Sequence, residues 1–243
     1  SGPELLDALQ AGLQKAGLLV VNVGMVPTPL LYFAAKSLTS GSGVMLTGSH
    51  NPKDYNGLKI MIDGVTLYGD RITQLYQRIK DNDLVEGKGQ STKKDIQTEY
   101  QQEFLKDIVL TRALKIVVDC GNGVTGMMLP ELFEQLGVNA TGLFTEVDGT
   151  FPNHAPDPSQ PKNLTALIAA VKEQGADIGL AFDGDGDRVA VISNTGKVIY
   201  ADQLMMLFSE DVLANNPGAQ IIFDVKCSSD LAQVIENNLC AWV

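Results

Sequence analysis

The stretch Asp183-Gly184-Asp185-Gly186-Asp187-Arg188 directly follows the apolar run Ile178–Phe182. This run has the length and composition of a buried strand, so the acidic stretch is predicted at the carboxyl end of a strand, where open α/β sheets bind their ligands. Three aspartates at alternate positions, separated by glycines, can offer several carboxylate oxygens to one hard cation such as Mg²⁺, Ca²⁺ or Mn²⁺. The stretch therefore predicts an α/β fold that carries a metal site.

The acidic stretch has two other interpretations. A calcium-binding EF-hand loop requires Gly at its sixth position and Glu at its twelfth, where this chain has Arg188 and Asn194. That motif is therefore excluded. A solvated acidic turn remains open from these residues alone, because Asp-Gly pairs are common in turns.

A second stretch, Thr47-Gly48-Ser49-His50-Asn51-Pro52, follows the short apolar run 43–46. The Ser49 hydroxyl is thus also predicted at the carboxyl end of a strand, although a serine there is commonly only a turn residue or a helix cap. His50 is its immediate neighbour and has no carboxylate nearby in sequence to orient it. A Ser-His-Asp acyl-transfer site is therefore poorly supported.

The two stretches together resemble motifs of the α-D-phosphohexomutases. Residues 47–59 are similar to the phosphoserine loop of that family, and residues 183–188 are similar to its metal loop. The similarity is closest to the bacterial phosphomannomutase/phosphoglucomutase branch, and it extends to residues 23–29, 117–123, 146–158 and 221–227. Two long motifs in the family's order are strong grounds for the assignment.

The resemblance implies an isomerase activity, the reversible transfer of a phosphoryl group between C1 and C6 of mannose or glucose phosphates. It implies that Ser49 is carried as a phosphoserine, that a hexose 1,6-bisphosphate is the intermediate and activator, and that one Mg²⁺ is the cofactor. The implied metal ligands are Ser49, Asp183, Asp185 and Asp187.

Three further catalytic residues follow from the resemblance. Arg188 would hold a phosphate or an aspartate oxygen with its forked guanidinium. Lys59 would move the hydroxyl proton if its pKa were lowered. His50 would shape the loop and secondarily contact the phosphate.

The resemblance also implies a fold of tandem related α/β domains, with mixed sheets sandwiched by helices and incomplete at both ends. We expect a phosphoserine-loop domain at residues 1–95, a metal-loop domain at 96–197 and the start of a sugar-binding domain at 198–243. Residues 81–94 are polar and mark the first boundary. The alternative function is a catalytically incomplete metal-binding fragment, and the isolated fragment is expected to be inactive.

Apolar periodicity predicts the elements in detail. Helices are expected at residues 1–17, 27–38, 66–80, 96–109, 128–136, 164–175, 202–213 and 230–237. Strands are expected at residues 18–23, 43–46, 58–62, 115–119, 178–182, 189–192, 198–200 and 221–225. Residues 151–161 are expected to form an irregular loop with His154 at the surface.

The run Gly121-Asn122-Gly123-Val124-Thr125-Gly126, with Glu146 about twenty residues further on, formally satisfies the dinucleotide-binding fingerprint. A dinucleotide-binding oxidoreductase is therefore the competing hypothesis. In the resembled family this run is a structural strand-to-helix turn, and we adopt that interpretation.

Composition limits the remaining possibilities. The 243 residues carry a formal net charge of −11, which disfavours nucleic acid and anionic membranes as partners. No apolar run approaches the length of about 18 residues that spans a bilayer. Cys120, Cys227 and Cys240 form no metal or disulfide pattern, and we expect them to be reduced. We therefore expect a cytoplasmic protein. The family resemblance implies a hexose phosphate as its partner, and a monomer is favoured. Lys53 is expected to be plain surface charge.

Overall fold

Apolar strands alternate with helices along the chain, and the computed structural model, which describes residues 2–52 and 54–239, arranges the strands in three sheets. One sheet has two strands, one has three and one has five. Helices cover these sheets, and the predicted α/β fold with mixed sheets is confirmed.

The first segment contains two of the sheets. Its elements are α1 (Gly2–Lys15), β1 (Leu19–Asn22), α2 (Thr28–Leu38), β2 (Gly43–Thr47), β3 (Gly57–Ile62), β4 (Val65–Thr66), α3 (Asp70–Lys80), β5 (Gln90–Lys93) and α4 (Gln97–Leu105). β1 pairs in parallel with β5, with Leu19 opposite Gln90. β2, β3 and β4 form an antiparallel sheet in which Met45 lies opposite Lys59. This sheet carries the Ser49 loop at the end of β2.

The second segment is built on the five-stranded sheet. Its elements are β6 (Lys115–Asp119), a short 3₁₀ helix (Val124–Met127), α5 (Leu129–Gln135), β7 (Asn139–Leu143), a second 3₁₀ turn (Pro161–Leu164), α6 (Thr165–Gln174), β8 (Ile178–Phe182), β9 (Val189–Ser193) and β10 (Val198–Ile199). The strand order is β10-β9-β8-β6-β7. β7, β6 and β8 run parallel, whereas β9 and β10 are antiparallel to their neighbours. The acidic stretch is the turn that connects β8 to β9.

Both faces of this sheet are buried, because successive side chains of a strand point to opposite sides. Ile116 and Val118 lie in one buried cluster, and Val117 lies in the other. Leu30 and Ala34 of α2 belong to the same cluster as Ile116 and Val118. A helix of the first segment therefore packs into the core of the second and fixes the two relative to each other.

The last described segment is a helical pair. α7 (Ala201–Asn215) and α8 (Ser229–Leu239) pack through Leu213, Leu231 and Ile235. The strand predicted at residues 221–225 is wrong, since these residues are irregular and Ile222 and Val225 are 88% and 96% exposed. A strand needs a hydrogen-bonded neighbour, and within residues 2–52 and 54–239 none pairs with this run.

Four further differences concern the ends and number of elements. The polar segment predicted as a boundary at residues 81–94 contains β5, because its backbone can pair with β1 whatever its side chains. β7 was not predicted at all. The helix predicted from residue 66 begins at Asp70, since Val65–Thr66 pairs with β3, and the helix predicted to reach residue 109 ends at Leu105.

Some predictions concern residues that the structure does not describe. Ser1, which starts the predicted first helix, Lys53 and Cys240 lie outside the described residues. Cys120 and Cys227 form no disulfide bond within the described residues. None of the helices within the described ranges is both long enough and apolar enough to cross a membrane.

Candidate active site

The Ser49 loop and the acidic turn meet in space. The Ser49 hydroxyl donates a hydrogen bond to Oδ2 of Asp183 across 3.0 Å, although the two residues are 134 positions apart in the chain. The structure therefore brings together the two motifs that the sequence singles out.

Asp183 organises the acidic turn. It is fully buried, and its Oδ1 accepts hydrogen bonds from the backbone N–H groups of Asp187 and Arg188, at 3.0 and 3.1 Å. The backbone closes the same turn, since the N–H of Asp183 donates to the carbonyl of Arg188, and the N–H of Gly186 donates to the carbonyl of Asp183. Gly186 has a φ of 72°, a conformation that glycine adopts without steric cost. These bonds explain why an acidic sequence folds into one compact turn.

Ser49 has an unusual backbone conformation. Its φ is 50°, in the left-handed region, which costs a non-glycine residue roughly 1 kcal/mol or more. Two hydrogen bonds hold the loop in this form: the N–H of Ser49 donates to Oγ1 of Thr47, and the N–H of Asn51 donates to the carbonyl of Gly48. The strained residue is the one whose hydroxyl reaches the aspartates.

The three aspartates form a cluster that fits a hard cation. One carboxylate oxygen from each of Asp183, Asp185 and Asp187 lies within 4.8 Å of the others. Asp185 is only 3% exposed, and its Oδ1 has no hydrogen-bond partner among the described residues. A buried carboxylate oxygen without a partner is unfavourable unless a cation binds it. An all-oxygen donor set with one such free atom matches the preference of Mg²⁺, Ca²⁺ or Mn²⁺.

Lys59, on β3, bridges two of the aspartates. Its Nζ lies 2.6 Å from Oδ2 of Asp185 and 2.6 Å from Oδ2 of Asp187. Burial lowers the pKa of Lys59, but the hydrogen bonds to the two carboxylates outweigh this effect and raise the pKa above its usual value. The lowered pKa that proton abstraction by Lys59 requires is therefore not found, and the side chain is a cation here.

Two neighbouring carboxyl groups have pKa values that move in opposite directions. Burial, reinforced by the charge of Asp185, raises the pKa of Asp183. Burial also acts to raise the pKa of Asp185, but hydrogen bonds from Lys59 and Thr28 outweigh it, and the pKa is lowered. Of these two residues, Asp185 is accordingly the one whose charged form the surroundings favour.

Arg188 connects the aspartates to the serine. Its Nε donates to Oδ2 of Asp183 at 3.0 Å, and its Nη2 donates to the Ser49 hydroxyl at 3.3 Å. The same Nη2 contacts Nδ1 of His50, which also lies 3.3 Å from the Ser49 hydroxyl. All seven residues predicted for the site are therefore within one connected network, while their individual roles remain predictions.

Three residues near the site were not predicted. Thr28, at the start of α2, donates from its hydroxyl to Oδ2 of Asp185 at 2.8 Å and from its backbone N–H to the carbonyl of Asp185 at 2.8 Å. Asp157 lies 3.8 Å from Nη1 of Arg188, and Asp119 lies buried under the loop that carries Asp157. The position of Thr28 between two prolines predicts only the start of a helix. Nothing in the sequence predicts its contact with Asp185.

His154 differs from its predicted surface position. Its Nε2 lies 3.0 Å from Oδ2 of Asp119, its Nδ1 lies 2.9 Å from the carbonyl oxygen of Ala155, and its side chain is largely covered. The hydrogen bond to Asp119 raises the pKa of His154 above its usual value. The loop of residues 151–161 has no regular secondary structure before the 3₁₀ turn at Pro161–Leu164, so this side-chain pair is one of the contacts that fix it.

The glycine-rich run after β6 packs against the acidic turn. The chain enters a 3₁₀ helix at Val124, whose N–H donates to the carbonyl of Gly184 at 3.1 Å. A side-chain carbon on Gly123 would lie 2.8 Å from the carbonyl oxygen of Gly184. Close backbone packing therefore accounts for this glycine, in agreement with a structural strand-to-helix turn.

Comparisons with known protein families match most of the chain. Residues 1–86 match the family described as phosphoglucomutase/phosphomannomutase, alpha/beta/alpha domain I. Residues 98–196 match phosphoglucomutase/phosphomannomutase, alpha/beta/alpha domain II. The domain limits predicted above remain predictions.

Individual relatives agree with this match. A phosphomannomutase/phosphoglucomutase of Pseudomonas putida is 56% identical over 238 residues, which is 98% of this chain and 51% of the relative. A phosphoglucomutase of Neisseria meningitidis serogroup A is 52% identical over 240 residues, 98% of this chain and 52% of the relative. A crystal structure of a phosphoglucomutase/phosphomannomutase family protein from Burkholderia thailandensis superimposes with a TM-score of 0.94 at 50% identity, covering 98% of this chain and 54% of that one. The chain thus spans about half the length of the curated relatives it matches.

Proposed function

The chain belongs to the phosphoglucomutase/phosphomannomutase family, and from that premise we propose that the protein moves a phosphoryl group reversibly between C1 and C6 of a hexose phosphate of the mannose or glucose series. One observation carries the proposal. The Ser49 hydroxyl stands at the acidic cluster, hydrogen-bonded to Asp183 and to Arg188. A hydroxyl in that setting can carry a phosphoryl group whose charge is neutralised by Arg188 on one side and, on the other, by a cation that the aspartates would hold.

Ser49 serves as the carrier. In the first half of the cycle a free hydroxyl of the sugar attacks the phosphorus of phosphorylated Ser49; the new P–O bond to the sugar forms as the bond to Oγ breaks. The ammonium of Lys59 gives a proton to Oγ, and its amine takes up the proton that the sugar hydroxyl loses, so the lysine ends the step in its starting form. The hexose 1,6-bisphosphate formed in this way returns its other phosphoryl group to Ser49 by the reverse step, so that the phosphate has changed position and the enzyme is regenerated.

The cationic side chains neutralise and align the transferred group, which is the principal contribution a protein makes to phosphoryl transfer. Arg188 presents a planar set of donors that already reaches Ser49 Oγ and Asp183. His50 lies on the same side of the hydroxyl and supports the position of the Arg188 guanidinium. Lys59, a cation in this structure, is assigned to the proton exchange as the group that supplies the proton Oγ takes up.

A divalent ion, which we propose to be Mg²⁺, would be held by Asp183, Asp185 and Asp187 together with the oxygen of the Ser49 group. The unpartnered Oδ1 of Asp185 supports this assignment. Such an ion supplies Lewis-acid charge neutralisation to the phosphoryl oxygens. Lys59 contacts two of the three carboxylates, those of Asp185 and Asp187, and so places a positive charge beside the residues that would hold the ion.

We also propose the wider setting of the protein. It would act in the cytoplasm, as a monomer, on hexose phosphates, with a phosphoserine-loop domain at residues 1–95, a metal-loop domain at 96–197 and the start of a sugar-binding domain from residue 198. The alternative is that the 243-residue chain binds metal but turns over no substrate. Assays of the chain and of the complete gene product, side by side, separate these two possibilities.

The test of the proposal is the substitution Ser49→Ala in the complete gene product. We expect the wild type to carry one phosphoryl group by intact mass, and the variant to carry none and to lose mutase activity on the order of 10⁴-fold or more, as enzymes do when a covalent nucleophile is removed. Ser37, exposed on α2 in the same segment, provides the matched control Ser37→Ala. Wild-type rates in Ser49→Ala would overturn the assignment of the carrier.

A further inference from the structure

The start of α2 holds one of the proposed metal ligands from outside the acidic turn. We propose that Thr28 is a positioning residue for the metal site: its hydroxyl, together with Lys59, occupies Oδ2 of Asp185 and so reserves Oδ1 for the cation. This inference rests on the proposed function, in particular on the assignment of the aspartate cluster to a divalent ion.

The contact is specific and completely shielded from solvent. Thr28 is 0% exposed, and its Oγ1 lies 2.8 Å from Oδ2 of Asp185. Asp185 itself is 3% exposed. A hydrogen bond from a hydroxyl to a charged carboxylate in such a place is short and strong, because water does not compete for either atom.

The two oxygens of Asp185 have different surroundings. Oδ2 accepts from the Thr28 hydroxyl and from Lys59 Nζ, at 2.8 and 2.6 Å. Oδ1 is buried and has no hydrogen-bond partner in the part of the chain that the structure describes. With two donors fixed on one oxygen, the carboxylate is prevented from rotating about its bond to Cβ. The free oxygen is therefore held in one direction.

Thr28 also spans the two segments. It is the first residue of α2, whose Leu30 and Ala34 pack into the core beside β6, whereas Asp185 belongs to the turn between β8 and β9. The backbone N–H of Thr28 donates separately to the backbone carbonyl of Asp185 at 2.8 Å. This second bond persists whatever the side chain at position 28, so the docking of the turn onto α2 does not depend on the hydroxyl. The contribution of the hydroxyl can therefore be measured separately.

A residue that hydrogen-bonds to a metal ligand without touching the ion, as Thr28 would, has a known effect on metal affinity. Groups that hydrogen-bond to a metal ligand fix its orientation, and their loss typically weakens metal binding about 10- to 100-fold. Without the Thr28 hydroxyl, Lys59 alone would hold Oδ2, and Oδ1 would be free to turn away from the cluster. We expect the affinity for the ion to fall by this factor while the protein remains folded.

The experiment compares Thr28→Val with Thr28→Ser in the complete gene product. Valine keeps the shape of threonine and removes the hydroxyl, whereas serine keeps the hydroxyl and removes the methyl group. Binding of Mn²⁺ alone, without substrate, is measured by calorimetry, and thermal unfolding without metal is recorded for each variant. We expect Thr28→Val to bind Mn²⁺ about 10- to 100-fold more weakly than the wild type, and Thr28→Ser to bind as the wild type does.

Each result either supports or overturns the role proposed for the Thr28 hydroxyl. Wild-type affinity in Thr28→Val, or equal weakening in Thr28→Ser and Thr28→Val, would overturn the role of the hydroxyl and leave the proposed function intact. A wild type that binds neither Mn²⁺ nor Mg²⁺ would overturn the metal assignment, and this inference with it. If Thr28→Val fails to fold, the pair Thr28→Ala and Thr28→Ser tests the same difference, since alanine also lacks the hydroxyl.

Discussion

The backbone of Gly184 lies against the carbonyl oxygen of Ser49 so closely that a methyl group on Gly184 would overlap that oxygen. The two loops of the site therefore touch backbone to backbone, which explains how a serine hydroxyl reaches an aspartate far along the chain. The requirement at Gly184 is space rather than conformational freedom, because its φ does not lie in the left-handed region.

The first prediction concerns this contact. Gly184→Ala should push the Ser49 loop away from the acidic turn, destabilise the fold by about 1–3 kcal/mol and abolish most of the mutase activity, since the overlap is with backbone that has little freedom to move. Urea unfolding and a coupled assay measure the two effects. Gly149→Ala is the matched control, because a side-chain carbon there would meet no atom within 4 Å. Equal behaviour of the two variants would show that the close contact is not needed.

A second prediction concerns the metal ligands. Asp185→Asn replaces an anionic oxygen donor with a neutral amide and should weaken Mg²⁺ binding at least about tenfold, as even the loss of an outer partner does. The measurement is a calorimetric titration, and the dependence of activity on Mg²⁺ should shift in parallel. Asp63→Asn is the control, because Asp63 is an exposed turn residue with a φ of 49°, a conformation that asparagine tolerates. Unchanged affinity in Asp185→Asn would contradict the ligand assignment.

A third prediction uses the bridge made by Lys59. Lys59→Met leaves the carboxylates of Asp185 and Asp187 close together without their shared cation, so the metal-free protein should lose about 1–3 kcal/mol of stability. Added Mg²⁺ should then raise the Tm of the variant by more than it raises the Tm of the wild type, because the ion replaces the missing charge.

The control for Lys59→Met is Arg78→Met, which breaks an exposed ion pair with Asp83. Such a pair contributes about 1 kcal/mol or less, and its loss should not alter the response to Mg²⁺. If Mg²⁺ shifts the Tm of Lys59→Met and of the wild type equally, Lys59 and the ion do not share these carboxylates.

A fourth prediction follows from the pKa of His154. The hydrogen bond to Asp119 raises this pKa above the unfolded value of about 6.5, so the stabilisation is fully present below that pH and is lost as the pH rises through the folded pKa. His154→Gln keeps a neutral donor but no charge. We expect His154→Gln to lower the free energy of unfolding by about 1 kcal/mol more at pH 5.5 than at pH 8.5. Urea unfolding of the variant and the wild type at both pH values measures this difference.

Phe144 provides the control for this pH dependence, because its ring packs against His154 with centroids 5.3 Å apart and does not titrate. Phe144→Leu should lower stability by the same amount at both pH values. A penalty for His154→Gln that does not change with pH would show that the charged form of the histidine does not contribute.

The sequence predicts best where a pattern is local and strong. β6 and β8 were predicted with the bounds that the structure has, since a short, mostly apolar run that lies in a sheet buried on both faces has few other structures available. β5 and β7 were missed because polar and glycine-containing segments become strands only through a neighbour's backbone. The run at residues 221–225 failed for the opposite reason: its composition suits a strand, but the described residues offer it no partner.

The residues of the site likewise include some that the sequence predicts and others that it does not. Ser49 and the aspartates were found because their motifs are compact, and the structure joins them with Lys59, Arg188 and His50. Thr28 was missed because its contact with Asp185 depends on how α2 docks onto another segment, which no periodicity encodes. His154 was expected at the surface because a histidine among prolines gives no indication of the buried Asp119 that receives it.

The pairing of β1 with β5 has a consequence for the order of events during biosynthesis. β1 cannot pair with β5 until Gln90, the partner of Leu19, has left the ribosome. By then α2, β2, β3, β4 and α3 have already been synthesised. The Ser49 loop is therefore made long before the aspartates that accept its hydroxyl. In a nascent chain the Ser49 hydroxyl lacks both Asp183 and Arg188, so the proposed chemistry requires that Arg188 has been synthesised and that the later sheet has packed against α2.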